Sequence, residues 1–128
     1  MKENRVTKQQ AISLKKLGYD GDVRTWYCDS SAECFTSRGY TNFNKQSFEG
    51  DDVYSAPTIS DAIQWMWDKF GINIVVWQVD PNEWMYEKYY EDSGSLANGS
   101  FPNRPAAQSA GLDAAIQYKL KQMERETP

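Results

Sequence analysis

Histidine is absent from all 128 residues, which removes the side chain most often used as a general base near neutral pH. Ser–His and Cys–His nucleophile pairs go with it, as do zinc sites that need imidazole. Cysteine is scarce: Cys28 and Cys34 stand alone, with no CxxC pair, so a structural zinc and a disulfide framework are both excluded. Their spacing permits one bridge across a hairpin if the two face each other. The expected state is a pair of reduced thiols, because the two stand alone and no export signal is present. Both are expected to be buried structural cysteines, because neither has a basic neighbour in the sequence that would hold a thiolate. No run of about 18 apolar residues exists to span a bilayer, and MKENRVTKQQ lacks the apolar core of a signal peptide. A cytoplasmic protein with no membrane attachment is the expectation.

Positive charge is also limited. The net charge is −4, and the basic residues Lys2, Arg5, Lys8, Lys15 and Lys16 cluster before residue 20 with only Glu3 among them, while the middle of the chain holds the acid. Nucleic-acid binding requires a basic stripe that releases counterions from phosphates. A single basic helix facing an acidic remainder argues against it, so no nucleic-acid partner is expected. Phosphate loops are missing too, since neither Gly94-Ser95 nor Gly99-Ser100 follows a strand with a helix and lysine behind it.

Apolar and aromatic residues are plentiful, at 40% and 14% of the chain, enough for one core and hardly for two. One domain over residues 1–128 is expected, needing neither metal nor disulfide to fold. Its centre is Ala56 to Val79, APTISDAIQWMWDKFGINIVVWQV. Pro57 fixes the incoming backbone, Thr58 is placed to cap a helix over 58–70, and Asp61 suits the positive end of its dipole. At about 100° per residue Ile59, Ala62, Ile63, Met66 and Phe70 share one face. Gly71 then stops the helix, and the period switches to extended. Ile72, Ile74 and Val76 alternate with Val75, Trp77 and Val79, so both faces of this strand are apolar and it reads as interior to a sheet.

Around this unit, Thr7 to Leu17 reads as a short N-terminal helix ended by Gly18, with Tyr19 folding back on its last turn. Val23 to Cys28 is a strand of β-branched and aromatic residues. Residues 29–55 are rich in Ser, Asn, Gly and Asp but carry Phe35, Tyr40, Phe43, Phe48 and Tyr54, and are expected to form a long ordered loop, with Glu33 to Thr36 returning beside Trp26 to Cys28. Asp80-Pro81-Asn82 turns the chain into an antiparallel strand over 84–91, and Asn98-Gly99 is the strongest hairpin-turn signal. A C-terminal helix over 105–123 presents Leu112, Ala115, Ile116, Leu120 and Met123. The predicted class is α+β: a small, mostly antiparallel sheet of three to four strands packed with three helices.

The expected function is non-catalytic interaction with a protein partner or a second copy, with no cofactor. Trp65 lies on the polar side of its helix, and Tyr40, Phe43 and Phe48 stud the 29–55 segment. These four are the candidate interaction residues, since aromatic side chains dominate interface hot spots. The alternative is a small metal-dependent enzyme using the acidic clusters Asp51-Asp52 and Glu87, Glu91, Asp92, although neither shows recognisable ligand spacing. The stretches Ala11 to Cys28, Tyr54 to Val76 and Gly111 to Leu120 resemble a family of small bacterial proteins common in phage and mobile-element gene neighbourhoods. The chain keeps Gly18, Tyr19, Asp20, Ala56, Pro57, Thr58, Trp65 and Lys69 of that pattern, but carries Trp67 and Asp68 where Arg and Glu are usual. The resemblance implies a shared fold and a mobile-element origin, and it brings no activity with it.

Overall fold

The computed structural model of the chain describes residues 4–45, 47–48, 51–89 and 96–126. It is α+β, and its strands form two antiparallel sheets. The chain divides into two compact units, residues 1–58 and 59–128.

In the first unit, helix α1 (Lys8–Lys16) starts in a full capping box: Thr7 accepts from the Gln10 N–H, and Gln10 Oε1 accepts from the Thr7 N–H. It ends in a complete Schellman motif, with Gly18 N–H donating to Lys15 O and Tyr19 N–H to Leu14 O, both at 3.0 Å. Gly18 has φ +93°, a conformation that glycine adopts without a Cβ clash. Tyr19 folds back and is buried, as expected. Strands β1 (Val23–Cys28), β2 (Ser31–Thr41), β3 (Ser47–Phe48) and β4 (Asp51–Ser55) make a sheet in the order β2-β1-β4-β3.

Residues 29–55 are therefore not a loop. They supply three strands and a 3-10 turn over Phe43–Lys45. Their polar composition misleads because β2 is an edge strand with mostly exposed side chains, so Glu33 and Arg38 remain in water while the backbone pairs with β1. The aromatic residues are what anchor the segment: Phe35 stacks on Trp26 at 4.7 Å, and the buried Phe43 tilts against the same ring at 5.8 Å. The expected return of 33–36 beside 26–28 is seen in the Trp26–Phe35 and Thr25–Thr36 pairs. Cys28 lies opposite Ser31 and not Cys34, and both thiols are free.

In the second unit, α2 (Ile59–Phe70) buries Ile59, Ala62 and Met66 and stops at Gly71, whose N–H donates to Trp67 O at 2.9 Å. Strands β5 (Asn73–Asp80), β6 (Glu83–Tyr89) and β7 (Leu96–Phe101) form the second sheet in that order. Helix α3 (Arg104–Glu126) packs on it, burying Ala107, Leu112, Ala115 and Ile116. Two expectations change here. The apolar strand after Gly71 is an edge strand, not an interior one: α3 covers only its Ile74 side, and the opposite row stays open. Asn98-Gly99 lies within β7, where Asn98 pairs with Tyr86, so the ladder to β6 overrides the local turn preference. The 90–95 connection, with Glu91 and Asp92, lies outside the described residues.

Candidate interaction surface

The antiparallel register of β5 and β6 sorts their side chains into two faces. On the covered face Ile74 and Tyr86 are buried, and α3 approaches so closely that a Cβ on Gly111 would lie 2.6 Å from Ile74 Cγ2 and 3.2 Å from Tyr86 Cγ. Tyr86 also packs against Phe101 at 5.8 Å. On the other face Val75, Trp77 and Val79 form a row, exposed to 38%, 37% and 47%, with the register to β6 shifting at its Val79 end, between Gln78 and Asp80. Met85 lies across from Trp77 and Glu87 across from Val75, both half-buried. Three large apolar side chains in line on one strand make a contiguous patch, unlike scattered surface hydrophobics.

The backbone of β5 matters as much as its side chains. Ile74 N–H donates to Asn73 Oδ1 at 3.0 Å, which places that N–H on the side away from β6. By the alternation of an antiparallel ladder, Val76 and Gln78 turn their N–H and C=O groups to the same open edge. The only ionisable residue in the strand is Asp80, at its end.

The four aromatic candidates are not brought together. Tyr40 is 71% exposed, on a stretch of β2 that bulges away from β1 between the Thr25–Thr36 and Val23–Thr41 pairs. Arg24 lies over its ring at 5.7 Å. Phe43, at 4% exposure, is a core residue. Trp65 is half-buried, edge-on to Phe70 at 5.3 Å, and Lys119 Nζ sits 4.8 Å from the Phe70 ring centre. The side chain of Phe48 lies outside the described residues. The Val75-Trp77-Val79 row is legible in the sequence as one face of the strand, but its openness is not, because two apolar faces imply two covering layers and no sequence signal reveals that only one is present.

The basic N-terminal residues turn largely to structural work. Lys8 Nζ donates to Asp29 O and Ser31 O, Lys15 Nζ donates to Val53 O at 3.0 Å and lies over the Tyr54 ring, and Arg5 Nε donates to Thr25 Oγ1. Arg5 also corrects the reading of Cys34 as lacking a basic neighbour, since its charge acts on that thiol. Cys34 is exposed as a residue, not buried as the sequence suggests, but desolvation of its thiol dominates and pushes it above the ordinary thiol value, against the opposing pull of Arg5 and of the hydrogen bond with Tyr27. The Tyr27 phenol, which donates to Val6 O at 2.9 Å, is raised by burial and by its proximity to Cys34.

Among the described residues no three of Cys, Asp and Glu converge as metal ligands, and no helix is long and apolar enough to cross a membrane. The side chain of Asp51 and both Glu91 and Asp92 fall outside that description. No family model matches the chain, and no curated protein or solved structure does either.

Proposed function

We propose that the protein is a non-catalytic interaction or accessory protein, working through the open face and edge of β5. The observation that carries this reading is the exposed row Val75, Trp77 and Val79 on an edge strand free of lysine and arginine. Natural edges are ordinarily blunted by such charges, so an unprotected apolar edge is a surface built to be covered. Trp77 is its anchor, as the largest side chain at the centre of the row. A phage or mobile-element origin is part of the proposal and rests on the resemblance of residues 11–28, 54–76 and 111–120. A cytoplasmic site of action is part of it too, supported by the free thiols. The partner is a protein and not a nucleic acid, a choice supported by the net charge of −4 and by the internal bonds that occupy Lys8 and Lys15.

The test compares partner capture by the wild-type chain and by Trp77→Lys. Loss of the same captured protein, with the circular dichroism of the native fold retained, supports the reading. Capture indifferent to Trp77→Lys and Val75→Lys overturns it. Calorimetric titration with Mg²⁺ and Ca²⁺ checks the carboxylate-enzyme alternative, which requires stoichiometric binding heat.

A further inference from the structure

Building on that reading, we infer that the occupant of the β5 edge is a second copy of this chain, paired antiparallel about a twofold axis at Trp77. The exposed row is palindromic: Val75, Trp77 and Val79 read the same in both directions. An antiparallel strand is the one partner that presents such a row in reverse. With the axis at Trp77, Val75 meets Val79 of the second copy, Val79 meets Val75, and the two Trp77 rings face each other. Every exposed apolar side chain of the strand thus finds an apolar mate.

The hydrogen-bonding parity agrees. Val76 and Gln78 turn their backbone groups outward, on the parity set by the Ile74–Asn73 bond. In this register Val76 of one copy is opposite Gln78 of the other, so the outward-facing residues form the hydrogen-bonded pairs. Trp77 then forms a pair of the non-hydrogen-bonded type, whose side chains approach most closely.

Charge presents no obstacle. Asp80, the one ionisable residue of β5, lies beyond the register shift that follows Gln78, at the end of the strand, and is never opposite itself. The edge strand of the first sheet that is long enough to pair, β2, is a poorer template: it carries Glu33 and Arg38, and its register to β1 slips between Thr36 and Thr41, whereas β5 holds register with β6 from Asn73 to Gln78 and shifts only between Gln78 and Asp80. A long mid-strand bulge and charges oppose strand addition. Two three-stranded sheets joined at β5 become one six-stranded sheet with isologous symmetry, the commonest way for a chain to self-associate. The contact is narrow, so the dimer depends on concentration.

Sedimentation velocity of the full chain, from low micromolar to near-millimolar, tests the pairing. The expected result is a monomer–dimer equilibrium weakened at least tenfold by Trp77→Lys and by Val75→Lys. Oxidation of Trp77→Cys in a Cys28→Ala, Cys34→Ala background reads the register: it should give disulfide-linked dimer, whereas Val79→Cys in the same background should give little. A strictly monomeric wild type overturns the inference, as does a dimer indifferent to both lysine variants, or one that cross-links through Val79→Cys in preference to Trp77→Cys. If the wild type is monomeric while Trp77→Lys still abolishes capture of another protein, the interaction reading stands and only self-pairing fails. If capture is indifferent as well, both fail.

Discussion

Gly111 sits in the interior of α3, where alanine is ordinarily favoured by about 1 kcal/mol, yet the added methyl would press on Ile74 Cγ2 at 2.6 Å and on the Tyr86 ring. Both neighbours are buried, so neither can swing aside into solvent. Overpacking of this kind costs about 1–3 kcal/mol, which outweighs the helical gain. Gly111→Ala should therefore lower the denaturant midpoint, and a rise would show that α3 lifts off the sheet easily. Cys34 and Tyr27 make the second case at this scale. Both are held in their neutral forms, with pKa values above the ordinary 9.0 and 10.0. A native state that binds these protons more tightly than the unfolded chain loses stability as pH rises through the shifted values. Their contribution is fully present at neutral pH and is lost in alkaline solution, above the ordinary thiol value. The same shift makes Cys34 slower to alkylate at neutral pH than a peptide thiol despite its exposed position. Mass-spectrometric alkylation rates measured against pH check this, and a midpoint below that of a model thiol would contradict it.

Helix α2 carries three aromatic residues, Trp65, Trp67 and Phe70. Its Trp65 is only half-buried and leans edge-on against Phe70. Removing a fully buried ring costs about 3–5 kcal/mol, so Trp65→Ala should cost about half of that, read by urea unfolding. A change within error would mean that the Phe70 contact contributes nothing. The elements show which signals are legible in a sequence. α1 and α2 could be placed because a helical stripe and a glycine stop agree at Gly18 and Gly71, and α3 because proline in its first turn agrees with its own stripe. β1 and β6 were readable from β-branched and aromatic content. Of β2 only the 33–36 return was, because an exposed edge strand is polar and takes its partner from β1, not from its own pattern. The openness of β5 was hidden for the opposite reason: apolar character on both sides records what the strand is able to bury, whereas the number of layers around it is a property of the fold. The same gap leaves the Val75-Trp77-Val79 face reading as covered and Phe43 reading as available, although the core absorbs Phe43.

At the scale of the whole molecule, charge makes the plainest prediction. With a net charge of −4, and with Lys8 and Lys15 bonded to backbone carbonyls, the chain should not shift single- or double-stranded DNA or RNA in a gel at physiological salt. Sub-micromolar, salt-sensitive binding would refute this. The two compact units meet in sequence at Thr58 and Ile59, and the first is clasped at its own ends: Arg5 bridges Thr58 antiparallel, and Val6 N–H donates to Pro57 O at 3.1 Å. That clasp has a mechanical consequence. The chain leaves both sides of an antiparallel bridge in the same direction, so tension between the first residues and the second unit peels the pair open one bond at a time, without shearing several bonds together. The clasp is therefore the weak latch of the first unit under load, yielding before the β1–β4 pairing inside it, and a pull along the chain would free its N-terminal segment while the sheet behind it stayed whole.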